Sequence, residues 1–332
     1  MGRITLQTVA ERVGVSRSTV SNAYNRPDQL SSELRERILA AADDLGYAGP
    51  DPAASSLRRG VSGAIGLLQG VLWAVTDPAN LLLLAGVAEV CEEQGLALVL
   101  IGQERPEGAD VLATTNLDGL IVHCETMSDQ RRRHLEVRGI PVVEVDRDTD
   151  TRWPSVGIDE RGGAAAAARH LIDLGHRRIA VLVIGDGDHH WSTDERLAGY
   201  RREFDRAGLG DEIIIVDDQV HTRADGRASA ARLLASDHRP TAVLAMSDEL
   251  AAGVFDAAAE LGIRVPDELS VVGFDDAPTA TTVSPPLTTV FQDHREKGRV
   301  AARKVLGLDT TPGVTILPTR LVVRESTAPA AV

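Results

Sequence analysis

The chain has 332 residues, 43% of them hydrophobic, and a formal net charge of −14. That length exceeds one compact core and suits two or three domains. So acidic a balance excludes a protein coated in nucleic acid. It confines any DNA contact to residues 1–60, where eight arginines meet seven acids.

In chain order, Thr5 is expected to cap a first helix whose Val9 and Val13 share a face at i, i+4 spacing. Gly14 then supplies the sharp turn, because glycine tolerates positive φ. Ser16 caps a second helix with Val20, Ala23 and Tyr24 inward. Ser31 caps a third, in which Leu34, Ile38, Ala41 and Leu45 keep helical period and Gly46 ends the run. Asp51 and Pro52 are the N-cap and first residue of a helix reaching about Leu57, too short to be stable alone.

From Ala64 the pattern alternates. Apolar runs AIGLL, LALVLI, GLIVHC, VVEVD, RIAVLVI, EIIIV, AVLAM and LSVVGF are separated by helical segments such as 161–175, 195–208, 223–236 and 248–262. Continuous apolar strands between helices predict an α/β body of two doubly wound parallel-sheet subdomains. Ligands of such sheets bind beyond the carboxyl ends of the strands, where His123, Asp146, Ser247 and Asp275 fall.

A helix, a Gly14 turn and a Ser16-capped helix form a helix-turn-helix arrangement, whose second helix enters the major groove. Hydroxyls suit that task, since they bond phosphates and base edges without bulk. The sequence resembles the LacI/GalR family of bacterial transcription repressors over nearly its whole length. TLQTVAERVGVSRSTVSNAYN is similar to that family's head and LGYAGPDPAASSLRRG to its hinge. LGHRRIAVL, ERLAGY, SDELAAGV, VPDELSVVGFDD, SPPLTTV and LPTRLVVREST are similar to its body motifs, in the family's order.

The resemblance implies a helix-turn-helix DNA-binding domain over 1–49, a hinge over 50–61, and a periplasmic-binding-protein-like effector-binding and dimerisation domain over 62–328. It implies a homodimer reading a pseudo-palindromic operator in double-stranded DNA. Arg17, Ser18 and Asn22 match base-facing positions; Thr5, Ser16, Ser21, Asn25 and Ser31 match phosphate-facing ones. Asn22 departs from the arginine of the best-known members, so their operator sequence does not carry over. In the hinge, Ala54 and Leu57 match minor-groove positions, with Leu57 as an apolar wedge that kinks the duplex. Effector contacts are implied for His123, Asp146, His190, Ser192, Arg196, His221, Ser247, Asp275 and His294, whereas Asp276 reads as the structural member of its pair. His221 and His294 stand where the family often places aromatic rings.

Two carboxylates and an arginine in one cleft suit a neutral polyhydroxylated effector, a sugar first and a nucleoside or purine second. Cys91 and Cys124 form no CxxC and read as reduced thiols. Adjacent His189 and His190 would point apart in extended chain, and no helical i, i+4 histidine pair accompanies them, so neither metal nor cofactor is expected. No GxGxxG follows a strand and neither GxxxxGKS nor GxxxxGKT occurs, which argues against an enzyme on a nucleotide-binding fold. Residues 1–13 carry no apolar signal core and the stretch 81–88 is too short to span a bilayer. A cytoplasmic location without membrane contact is therefore expected, and a periplasmic-type solute-binding protein is the weaker alternative.

Overall fold

The computed structural model describes residues 4–50, 60–69, 75–102, 111–124, 127–147, 152–184, 191–210, 213–220 and 222–330. The expected hinge helix with Ala54 and Leu57, and the expected effector residues His190 and His221, lie outside the described residues. The chain divides into two compact units, Met1–Gly63 and Ala64–Val332.

The first unit holds α1 (Leu6–Val13), α2 (Arg17–Asn25) and α3 (Ser32–Asp44). Thr5 stands at the first N-cap in extended conformation, and its backbone N–H donates to Thr8 Oγ1 at 3.4 Å. Gly14 takes φ 77°, which a side chain would strain, and closes α1 by donating to the Ala10 carbonyl at 2.9 Å. The hydroxyls of Ser16 and Ser31 accept from Thr19 N and Leu34 N at 3.1 and 3.3 Å. Each such cap contributes about 1 kcal/mol.

Val9, Ala10, Val20, Ala23, Ile38 and Ala42 form the core of this unit. An edge-to-face pair, Tyr24 with Tyr47 at 6.1 Å between ring centres, lies beside it. The inner stripe of α3 runs through Ala42 rather than Ala41, which is half-buried: from Ile38 the buried face continues at i+4.

The second unit contains two six-stranded sheets. Sheet one has β1 (Ala64–Leu68), β2 (Ala97–Ile101), β3 (Gly119–His123), β4 (Val142–Val145), β5 (Ser155–Ile158) and β11 (Val314–Leu317) in the order β11-β5-β4-β3-β1-β2. Sheet two has β6 (Ile179–Ile184), β7 (Ile213–Val220), β8 (Ala242–Ala245), β9 (Ser270–Asp275), β10 (Thr288–Phe291) and β12 (Arg320–Val322) in the order β12-β10-β9-β8-β6-β7. Pairing is parallel except between β10 and β12. Both sheets thus follow a doubly wound 2-1-3-4-5 order, which places a binding crevice past the carboxyl ends of their strands. Ile179 to Val183 are fully buried because helices cover both faces of sheet two. Each such Ile, Leu or Val stabilises the fold by about 1.5–3 kcal/mol.

The eight apolar runs are β1 to β4 and β6 to β9. Short β5, β10, β11 and β12 escape that pattern. So does the helix α4 (Pro78–Gln94), whose Leu81–Leu84 run hides its period. The other body helices are α5 (Val111–Thr114), α6 (Asp129–Arg138), α7 (Glu160–Asp173), α8 (Trp191–Arg206), α9 (Arg223–Leu234), α10 (Asp248–Glu260), α11 (Thr279–Thr282) and α12 (His294–Val305).

Between β5 and α7 the chain passes from sheet one to sheet two. It returns between β10 and α12, and crosses a third time between β11 and β12. α12 then packs on α4 with backbones in contact. A Cβ at Gly86 would lie 1.9 Å from the Arg295 carbonyl oxygen, and one at Gly298 2.2 Å from that of Leu83. Gly86→Ala should therefore push the two helices apart and destabilise the body by about 1–3 kcal/mol. Urea unfolding should show a lower midpoint at unchanged slope; an unchanged midpoint would refute the close approach.

Candidate functional site

Each unit carries its own candidate site. On the head, Thr5, Ser16, Arg17, Ser18, Asn25 and Ser31 are exposed, with Ser21 and Asn22 half-buried. Ser16 Oγ lies 2.7 Å from Ser18 Oγ and 2.8 Å from Thr19 Oγ1, so three hydroxyls mesh at the N-terminus of α2. That end presents unpaired N–H groups and positive dipole, which favour a phosphate. Asn22 donates its amide to Gln29 Oε1 at 3.3 Å, and Asn25 donates to the Ser21 carbonyl and hydroxyl oxygens at 3.0 and 3.2 Å. Gln29, just past α2, had no pattern in the sequence to mark it as Asn22's partner.

The body site grows from strand ends. His123 closes β3, Asp146 follows β4, and Asp275 closes β9. His123 lies between Gln69 Oε1, 2.7 Å from its Nδ1, and Asp146 Oδ2, 3.3 Å from its Nε2. The buried Lys297 of α12 donates to Asp146 Oδ2 at 2.5 Å and to Gln292 Oε1 at 2.8 Å. Gln292 in turn donates to Asp275 Oδ1 at 2.7 Å. His294 Nε2 is 3.5 Å from the same oxygen but outside hydrogen-bond geometry. Burial opposes ionisation of Asp146, yet Lys297 and His123 hold it well below the usual carboxylate range.

A second cluster flanks the first. Arg196 of α8 donates to Glu160 Oε2 at 2.6 Å and to the Met246 carbonyl at 2.5 Å, and its guanidinium lies 3.7 Å from the Phe274 ring centre. Burial works against its charge, but Glu160 and Asp275 raise its pKa further. Ser247 is engaged as the N-cap of α10, accepting from Leu250 N at 3.2 Å. Ser192 is half-buried in the first turn of α8. Asp276 receives Arg324 at 2.5 Å, and fully buried Asp248 accepts from Ala277 N and Thr289 Oγ1 at 2.7 and 2.6 Å.

His123, Cys124 and Asp146 bring three donor atoms within 4.8 Å of one another. The Lys297 ammonium on Asp146 opposes a metal cation there. Among the described residues, Gln69 Nε2, Asn80 Nδ2, Asp146 Oδ1, both ring nitrogens of His294 and Tyr200 Oη are buried without a hydrogen-bond partner.

Residues 5–49 match the family model of bacterial regulatory proteins, lacI family, and residues 168–327 match a periplasmic binding protein-like domain. An HTH-type transcriptional regulator of Mycolicibacterium smegmatis is 37% identical, covering 99% of this chain and 98% of its own. The chain belongs to the LacI family. It is a DNA-binding transcriptional regulator of that family, with the lac-repressor architecture. The crystal structure of a lac repressor dimer bound to operator and the anti-inducer ONPF superposes with a TM-score of 0.84 at 29% identity, covering 98% of this chain and 100% of that one. A complex of the regulator CelR with cellobiose gives 0.68 at 29% identity over the same shares.

Within this LacI-family body, the structure brings His123, Asp146, Arg196, Asp275 and His294 around one floor and adds Gln69, Asp77, Glu160, Gln292 and Lys297. Gln69 and Gln292 directly follow β1 and β10, so the strand-end rule reaches them once those strand ends are known. Lys297 needed the crossover topology. Asp77 caps α4 through its Oδ1, accepting from Ala79 N and Asn80 N at 2.9 and 3.0 Å. Burial, then repulsion from Asp275 and Glu249 of the other subdomain, raises its pKa to about 6.

A raised carboxyl pKa means that the folded state binds the proton more tightly than the unfolded chain. This group therefore penalises folding above about pH 6, and the penalty fades as pH falls toward the ordinary carboxyl value of 3.8. Asp77→Asn keeps the cap and removes the charge. Its Tm should exceed the wild-type value at pH 7.5, with the gap reduced to about half at pH 5. Scanning calorimetry at both pH values would check this, and a gap that widens on acidification would contradict it.

Proposed function

We propose that this regulator is a repressor whose operator affinity is controlled by a small neutral polyol, a sugar first, bound in the cleft between its two sheets. The carrying observation is that several of the buried polar atoms without partners belong to this floor: a donor on Gln69, an acceptor on Asp146, and His294, whose ring nitrogens offer one of each when neutral. Leaving such a group unpaired costs about 1–3 kcal/mol, so a ligand supplying both hydroxyl hydrogens and lone pairs gains on every contact. Cellobiose, the ligand named for the CelR complex, has that chemistry.

In this reading residues 1–49 read DNA, 50–61 form the hinge, and 62–328 bind effector and dimerise. A two-fold dimer needs two equivalent half-sites, hence a pseudo-palindromic operator. Arg17, Ser18 and Asn22 face bases; Thr5, Ser16, Ser21, Asn25 and Ser31 face phosphates. Ala54 and Leu57 enter the minor groove.

Asn22→Ala should cost about 1–3 kcal/mol at particular half-site positions, whereas Ser21→Ala should weaken all sequences evenly. Gel-shift titration against a base-substitution series separates the two; equal weakening at every position by Asn22→Ala would refute its base-reading role. A thermal-shift screen with ribose, cellobiose, adenosine and hypoxanthine assigns the effector class. Asp275→Ala should keep operator affinity and lose at least tenfold in affinity for whichever compound stabilises the wild type, about 1.4 kcal/mol. Calorimetry measures this, and a full effector response by that variant would remove Asp275 from the pocket.

A further inference from the structure

We infer that Lys297 is the positioning residue of the cleft, holding Asp146 on one wall and, through Gln292, Asp275 on the other. The inference rests on the ligand-binding reading of that cleft. Lys297 is 1% exposed, and a buried ammonium is tolerated only where its hydrogens find acceptors. It finds two, on different segments: Asp146 Oδ2 after β4 and Gln292 Oε1 at the second crossover.

Gln292 is suited to the middle position because its amide has two ends. The carbonyl oxygen accepts from the ammonium while the NH2 donates to Asp275 at 2.7 Å. Reversing the amide would set donor against donor and acceptor against acceptor. A single chain of polar contacts thus runs His123, Asp146, Lys297, Gln292, Asp275, from the end of β3 in sheet one to the end of β9 in sheet two. Gly298, the neighbour of Lys297, sits against the backbone of α4, so the base of the lysine is anchored.

Asp146 Oδ1 has no hydrogen-bond partner among the described residues. Lys297 therefore occupies one oxygen of this carboxylate and leaves the other as a fixed, charged acceptor. A hydroxyl bound there joins the chain of contacts that passes through the crossover. One ligand is then sensed on both walls.

Without the ammonium, Asp146 keeps its burial and faces His123 and Cys124 from the β3 end, Glu160 from α7 and His294 from α12, with Arg196 of α8 beyond Glu160. Burial and Glu160 then favour the protonated acid. Carboxyl-13C-aspartate NMR of the full chain, with Asp146→Asn to assign the signal, measures the outcome. Wild type and Lys297→Arg should show Asp146 ionised from pH 8 to pH 5, and Lys297→Met should show it titrating within that window. An Asp146 that stays ionised to pH 5 in Lys297→Met overturns the inference.

If Lys297→Met does not fold, the Asp146→Asn/Lys297→Met double variant decides, since it removes both charges together. Recovery of a cooperative melt in the double variant supports the pairing; failure to recover opposes it. In calorimetry with cellobiose, or with ribose, adenosine or hypoxanthine where one of those stabilises the wild type, Lys297→Met should weaken binding at least tenfold at pH 8, and Lys297→Arg should restore most of it. Binding by Lys297→Met at wild-type affinity also overturns the inference. Should none of the four bind wild type, the ligand class proposed above fails, while the Asp146 titration still decides the role of Lys297.

Discussion

Two sheets joined at three crossovers cannot move independently, because any rotation of one against the other bends all three segments at once. Two of the crossovers are tied together: Asp159 N donates to the Leu317 carbonyl at 3.2 Å, and Thr319 Oγ1 to the Asp159 carbonyl at 3.1 Å. The second carries Gln292. One residue past the first stands Glu160, the partner of Arg196. The polar floor of the cleft is therefore fastened to the segments that must bend, so contacts made there have a direct mechanical route into subdomain rotation.

Energetics separates these groups from ordinary core. A buried ion pair is commonly no more stabilising than well-packed apolar residues of equal volume, since desolvation offsets the Coulomb attraction. Lys297–Asp146 and Arg196–Glu160 are buried pairs of this kind, which argues for a role beyond stability. Asp77 facing Asp275 and Glu249 across the cleft works in the opposite sense, since like charges resist closure. The cleft is thus lined by a balance of opposed charges, in which small differences in hydrogen bonding can shift one arrangement toward another.

The head and the eight strands β1 to β4 and β6 to β9 were legible because their physics is local. Caps at Ser16 and Ser31, the positive φ of Gly14 and runs such as RIAVLVI declare themselves within a few residues. Strands β5 (SVGI), β10 (TTVF), β11 (VTIL) and β12 (RLV) mix polar residues or glycine into three or four positions and so carry no apolar run, and α4 is masked by four consecutive leucines. In the cleft, His123, Asp146 and Asp275 follow from their places at strand ends, and Arg196 from the resemblance. Lys297 reads locally as one more charge on a polar helix; only the return of the chain from sheet two to sheet one buries it. Gln292 escaped because β10 did, and Gly86 and Gly298 show their purpose only when two helices 200 residues apart are laid together.

The split of the last two strands has a consequence for how the molecule is made. β11 completes the edge of sheet one and β12 the edge of sheet two, yet both come from residues 314–322. Neither sheet has its full complement until residues 314–322 have left the ribosome, whereas the head closes its core among residues 9–42. Contacts of short sequence separation form early and long-range pairings late. A nascent chain can therefore carry a folded DNA-reading head well before it has a finished cleft, and the polar floor between the two sheets is the last part of the protein to be completed.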